Sequence, residues 1–203
     1  MTTRLLLASR NAKKLVELRR ILAATSAGEQ VELIGLDDVA EYPEVPESGL
    51  TFAENALIKA REGAQQTGLP TVADDSGLAV DALNGMPGVF SARWSGRHGD
   101  DEANLQLVLD QIGDVPDEHR GGGFVCAAAL VWPDGREQVV EARMLGRIIR
   151  TPRGRNGFGY DPIFVPEGYQ QTSAELSADA KDAISHRGKA FRGLADLIAA
   201  ELH

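Results

Sequence analysis

The chain has 203 residues, 43% of them hydrophobic and 25% charged, which is enough for one sizeable core and matches a globular composition. Thirty acidic against 21 basic residues leave a net charge of -9. That argues against a nucleic-acid backbone as main partner, because such binding leaves a basic footprint. A free nucleotide needs only a few local cations and stays open.

The longest apolar run, residues 125–132, is far too short to span a bilayer. The N-terminal stretch passes from Arg4 straight into Leu5-Leu6-Leu7 without the shape of a signal peptide. Cys126, the single cysteine, lies inside the apolar run and reads as a small core residue in a reducing compartment. These features set a cytoplasmic location, and the absence of any repeat or linker sets one domain over residues 1–203, as expectations.

In chain order, residues 4–8 predict a buried strand. Residues 13–24 predict a helix with Leu15, Leu18, Ile21 and Leu22 on one face, and residues 31–35 a second strand. Residues 37–54 carry six carboxylates and no Lys or Arg, broken by Pro43 and Pro46, and read as an exposed acidic loop. Thr51 with Glu54 is a capping-box pattern opening a helix to about residue 66. Residues 71–73 predict a short strand running into Asp74-Asp75-Ser76-Gly77, and residues 78–83 continue as strand. A helix is expected over 100–112, capped by Asp100 or Asp101. A long hairpin follows over 123–149 around Pro133-Asp134-Gly135, then a glycine-rich loop over 154–161 and a short strand over 163–165. Phe191, Leu194, Ala195 and Ile198 place a helix at the C-terminal end. Helices interleave with strands while the hairpin is antiparallel, so the fold class expected is α/β with a long mixed β-sheet.

Four clusters carry candidate chemistry. Ser9, Arg10, Asn11, Ala12, Lys13 and Lys14 sit between the first strand and first helix, where unpaired backbone N–H groups attract anions. The alternative is a plain cap with solvated lysines. Asp74 and Asp75, adjacent in a strand, point to opposite faces, so one of them enters a site. Such a carboxylate suits Mg²⁺, with Glu47 as second ligand, although a turn and solvated loop charge account for the same residues. In Asn156-Gly157-Phe158-Gly159-Tyr160-Asp161-Pro162, glycines on either side of Phe158 let backbone approach a ligand and leave a ring free for a base. A flexible loop with a partly buried Phe is the competing reading. Lys181 and Ser185-His186-Arg187-Gly188 stand at the start of the last helix, with Ser185 as an N-cap and His186 and Arg187 offering donors, or merely exposed polar residues. The arginines at 143, 147, 150, 153 and 155 draw in polyanions or serve as solvated edge charge.

Together these blocks, joined by Glu47 to Phe52, Glu54-Asn55-Ala56, Lys59-Ala60-Arg61, Gly85 to Gly88 and Ser91-Ala92-Arg93, closely resemble the inosine/xanthosine triphosphate pyrophosphatase family across essentially the whole chain. The resemblance implies two lobes with an active-site cleft between them, a homodimer, a purine nucleoside triphosphate (ITP, dITP or XTP) as substrate, and Mg²⁺ as cofactor. It implies Asp75 as the catalytic proton acceptor, with Glu47 and Asp75 on the metal. Ser9, Arg10, Asn11, Ala12, Lys13, Lys14, Lys59 and Ser76 would hold phosphates and sugar. Phe158, Gly159, Tyr160, Asp161, Lys181, His186 and Arg187 would hold the base. Fixed donors from His186 and Arg187 would suit a 6-keto purine and meet adenine's amino group donor to donor. The sequence departs from the family at Asn156, where glycine is frequent, and at Ala142 to Leu145, where a glycine and an aromatic are frequent. A Maf-like pyrophosphatase, or a non-catalytic nucleotide sensor or RNA-binding module, are the alternatives. The blocks around Phe158 and His186 weigh against the first, and net charge with the Asp75/Glu47 pair against the second.

Overall fold

The structure is a computed structural model that describes residues 2–25, 28 and 30–201; the side chains of Lys13 and Glu201 lie outside the described residues. Six strands form one mixed sheet in the order β2-β1-β3-β4-β5-β6. They are β1 (Thr3–Leu7), β2 (Val31–Ile34), β3 (Thr71–Val80), β4 (Gly121–Val131), β5 (Glu137–Ile148) and β6 (Phe164–Pro166). Strand β1 pairs in parallel with β2 and β3, and β5 pairs antiparallel with β6. The helices are α1 (Ala12–Ala23), α2 (Phe52–Thr67), α3 (Asp101–Gln111), α4 (Ala178–Ile184) and α5 (His186–Glu201). The mixed α/β architecture is therefore the one expected. None of the described helices is long and apolar enough to cross a membrane.

The chain divides into two compact units. The first comprises Met1–Asp75, Cys126–Ala142 and Arg187–His203, and the second Ser76–Val125 and Arg143–His186. In the first, alternation along the strands sends Leu5, Leu7, Val72, Cys126, Ala128 and Leu130 to a face packed by Leu18, Ile21 and Leu22 of α1 and Phe191, Leu194 and Ile198 of α5. The opposite set, Ala73, Ala127, Ala129 and Val131, meets Ala56, Ala60 and Ala64 of α2. Small residues on both sides of that interface let helix and sheet approach closely. The second unit has its own core of Leu78, Val80, Leu105, Val108, Ile112, Phe124, Ile148, Ile163 and Phe164.

Local signals explain most boundaries. Thr51 Oγ1 accepts from the Glu54 amide while Glu54 Oε2 accepts from the Thr51 amide, so the capping box is formed. Gly68, at φ +68°, closes the same helix in the left-handed region open to glycine. Strand β3 runs unbroken through Asp74-Asp75-Ser76-Gly77 to Val80, which overturns the competing reading of that stretch as a plain turn, while residues 81–83, expected as strand, form a 3₁₀ turn. Position 77 of this strand takes glycine because a Cβ there would collide with Ser91 Oγ and the Gly88 carbonyl. Helix α4 was not expected; Ser177 caps it by accepting from the Ala180 amide. Ser185, expected as an N-cap, stands immediately before α5 with extended backbone (φ -64°, ψ 150°) and also ends α4, its amide donating to the Lys181 carbonyl.

Candidate active site

The two carboxylates at the middle of β3 point to opposite faces, and each face of the first unit supplies its own partners. On the α1/α5 face Asp74 is fully buried. Its Oδ2 accepts from Lys14 Nζ at 2.9 Å and from Arg187 Nε at 3.2 Å. Arg187 Nη1 continues to Glu17 Oε2 at 2.6 Å, closing a group of two cations and two carboxylates. Burial opposes the charge on Asp74, but Lys14, Arg187 and Lys59 outweigh it and hold its carboxyl well below the usual range. Burial likewise opposes the charge on Arg187, and Asp74 and Glu17 outweigh it.

On the α2 face Asp75 Oδ2 accepts from Asn55 Nδ2 at 3.1 Å, and Asp75 Oδ1 lies 3.8 Å from Lys59 Nζ. Lys59 also reaches Glu47 Oε1 at 2.6 Å. Burial is the main cause that pushes the Asp75 carboxyl above its ordinary value of 3.8, and Glu47 adds to it against Lys59 and Asn55. Lys59 is held protonated: burial opposes its charge, and Asp75, Asp74 and Glu47 overcome that. Glu47 and Asp75 thus lie on either side of the Lys59 ammonium, while Asp74 and Glu17 share Arg187 on the α1/α5 face.

The pair bears on metal binding. A divalent cation would relieve both causes of the elevated Asp75 value, and Glu47 with Asp75 is the hard oxygen pair that Mg²⁺ takes together with substrate phosphates. Among the described residues no group of three or more His, Cys, Asp or Glu side chains could hold an ion. An ion here would need phosphate oxygens beside these two carboxylates.

The anion-attracting turn lies between β1 and α1. Ser9 Oγ accepts from the Asn11 amide, and the Lys14 amide donates to the Asn11 carbonyl. Ala12 and Arg10 are exposed, with Arg10 Nε 3.5 Å from Glu44. Lys13 was expected here, and its side chain lies outside the described residues.

In the second unit the expected base residues gather around Asp161. Its Oδ2 accepts from the Phe158 amide at 2.9 Å and from Lys181 Nζ at 2.6 Å, and that ammonium lies 5.5 Å from the centre of the Phe158 ring. Gly157 and Gly159, at φ +75° and +60°, bracket Phe158 with left-handed backbone. Tyr160 is buried, its hydroxyl donating to the Ser91 carbonyl at 2.8 Å. Asn156, the departure from the family pattern, donates its amide group to the Leu176 carbonyl. Ser76 is half-buried, one residue beyond Asp75. His186 is 6% exposed and stacks on Phe124, ring centres 4.9 Å apart.

The reading of His186 and Arg187 as exposed polar residues is overturned, since Arg187 is 3% exposed and its Nε and Nη1 are bonded inside the first unit. Sequence reasoning gave no role to Asn55 or Glu17. Asn55 is fully buried and bonded as such a group must be: its Oδ1 accepts from the Gly49 amide while its Nδ2 serves Asp75, and its burial is not visible in the sequence. Glu17 carried no signal either: a lone glutamate in an amphipathic helix reads as solvated.

The Ham1 family matches residues 5–197. The chain belongs to the Ham1 family. A Nocardia farcinica protein named dITP/XTP pyrophosphatase is 64% identical over 198 residues, covering 97% of this chain and 95% of its own. The crystal structure of a nucleoside-triphosphatase / dITP/XTP pyrophosphatase from Mycobacterium abscessus is 62% identical, with TM-score 0.77 over 95% of this chain and 98% of that one. The Staphylococcus aureus Ham1 protein is 36% identical with TM-score 0.87, covering 98% of this chain and 100% of its own. This Ham1 chain thus shares its fold with family members well below half identity.

Proposed function

We propose that this Ham1 protein hydrolyses non-standard purine nucleoside triphosphates (dITP, ITP and XTP) to the nucleoside monophosphate and pyrophosphate, clearing them from the nucleotide pool. The observation that carries the reading is the buried Asp75 on β3, elevated in pKa beside Glu47 and answered by the protonated Lys59. Relatives at more than 60% identity that bear the name dITP/XTP pyrophosphatase support the substrate class.

In this reading Glu47 and Asp75 hold Mg²⁺. The ion, when bound, neutralises phosphate charge and makes a coordinated water more acidic. Asp75 accepts the proton of the attacking water, whose acidity the ion would raise. Asn55 fixes the Asp75 carboxylate through Oδ2, leaving Oδ1 on the Lys59 side. Lys59 and Lys14 place ammonium groups against charge that grows on the phosphoryl oxygens. The turn over residues 9–14 supplies backbone N–H groups, and Ser76 a hydroxyl, to phosphate and sugar. The base end falls to residues 158–161, Lys181, His186 and Arg187, as the family resemblance implies. Residues 1–203 act as one pyrophosphatase domain, cytoplasmic and homodimeric, with no nucleic-acid or membrane partner.

The test is a panel of nucleoside triphosphates with Mg²⁺, scored for pyrophosphate and orthophosphate together. Stoichiometric pyrophosphate from ITP or XTP, stopped by chelation and restored by Mg²⁺, is the expected result. Orthophosphate as first product would show the reaction class to be wrong.

A further inference from the structure

Three of the ties on the loop that carries Phe158 bear on its tip, and one of them comes from α3. Asp161 holds the Phe158 amide, and the Tyr160 hydroxyl holds the Ser91 carbonyl. The third is Asp101, the first residue of α3, whose Oδ2 accepts from the Gly159 amide at 2.9 Å across 58 residues of sequence. Asp100 already caps α3 by accepting from the Ala103 amide, so Asp101 is not needed for that purpose. A carboxylate in a first helical turn also meets the helix dipole favourably, and that alone would account for an Asp here. It would not account for a bond to Gly159, nor for the proximity by which Asp101, after burial, raises the Tyr160 hydroxyl pKa.

Gly159 is where such a tie has most effect. Its φ is +60°, and a Cβ there would meet nothing within 4 Å. Glycine populates both signs of φ readily. The Asp101 carboxylate bonded to its amide favours the left-handed state, and with Gly157 that state sets the direction of the Phe158 ring.

We propose that Asp101 is a positioning residue for nucleotide binding, pinning the Gly159 amide so that Phe158 is presented to the base in one orientation. The proposal rests on residues 158–161 being the base-binding loop. It acts through pre-organisation: a loop fixed before the ligand arrives loses less freedom on binding.

Asp101→Ala and Asp101→Asn in the full chain test it by two readouts. Hydrogen exchange followed at the Gly159 amide is expected to be about tenfold faster in Asp101→Ala, because the bond that closes it is lost. The KM for ITP is expected to rise about fivefold with kcat kept within about twofold, the size of one exposed charge-assisted bond. Asp101→Asn, whose Oδ1 still accepts, restores most of both values. Asp101 is exposed, and melting by circular dichroism verifies that both variants are folded. Unchanged Gly159 exchange in Asp101→Ala overturns the tie, and faster exchange with unchanged KM overturns its role in binding. A wild-type chain that hydrolyses no ITP refutes the function proposed above, and the exchange arm then still decides whether Asp101 pins the loop.

Discussion

Removing one charge from either of the neighbouring aspartates of β3 should have opposite consequences. Asp74→Asn leaves Lys14 and Arg187 facing a neutral amide at a site with no exposed side-chain surface. Breaking a buried pair by taking away one partner costs about 3–5 kcal/mol. Arg187 keeps Glu17 at 2.6 Å, and the Lys14 side chain is 15% exposed and can turn to water. Both put the loss at the low end, about 3 kcal/mol, or a fall of about 6–12 °C in Tm for a chain of this size. Asp75→Asn differs because the fold raises the Asp75 pKa, which means that folding disfavours its charge. By linkage, neutralising it near neutral pH removes a cost and should leave stability unchanged or slightly higher. Urea denaturation and thermal melts of the two variants beside wild type make the comparison. Equal shifts, or a larger loss in Asp75→Asn, would refute the division of the two faces.

Activity should run the other way: Asp75→Asn loses about 100-fold or more in kcat, roughly 2.7 kcal/mol of transition-state stabilisation, and steady-state hydrolysis of ITP with saturating Mg²⁺ at wild-type rate would remove Asp75 from the chemistry. The acid limb of stability should also change in Asp74→Asn. A carboxyl depressed in the folded state contributes stability that is present above its unfolded value of 3.8 and is lost as pH falls through the lower folded value. The stability gap between wild type and Asp74→Asn should thus be constant above that window and shrink below it, as urea midpoints across pH would record. Cys126 is fully buried, and burial, then Asp74, push its thiol up. A thiol reagent at mildly alkaline pH should label it slowly in the native chain and at once in denaturant; fast native labelling would contradict the packing.

Elements defined by short-range physics were legible in the sequence. The Thr51/Glu54 cap, the apolar stripe of α1 and the Pro133-Asp134-Gly135 turn each announce themselves within a few residues. What failed was long-range. Asp74-Asp75-Ser76-Gly77 has the composition of a turn, and it is strand because Lys14, Arg187, Asn55 and Lys59 neutralise or bind its carboxylates from both faces. No local rule could supply a partner for Asp74 from 113 residues away, or one for Arg187 from 170. The capping signal for α4, Ser177 followed by Asp179, was present and was masked by the loop-like composition before it.

The way the chain threads its two units constrains how it can be made. It passes between them after Asp75, Val125, Ala142 and His186, so the first unit is assembled from three segments and the second from two. Leu18 and Ile21 of α1 wait for Phe191, Leu194 and Ile198 of α5 before their side of the sheet is covered. On a ribosome, α1 would therefore stay without its α5 packing partner until residues 187–198 had emerged. A nascent chain stopped before residue 187 would leave the face of Leu5, Leu7, Val72 and Leu130 covered by α1 alone, the kind of surface that holdase chaperones bind.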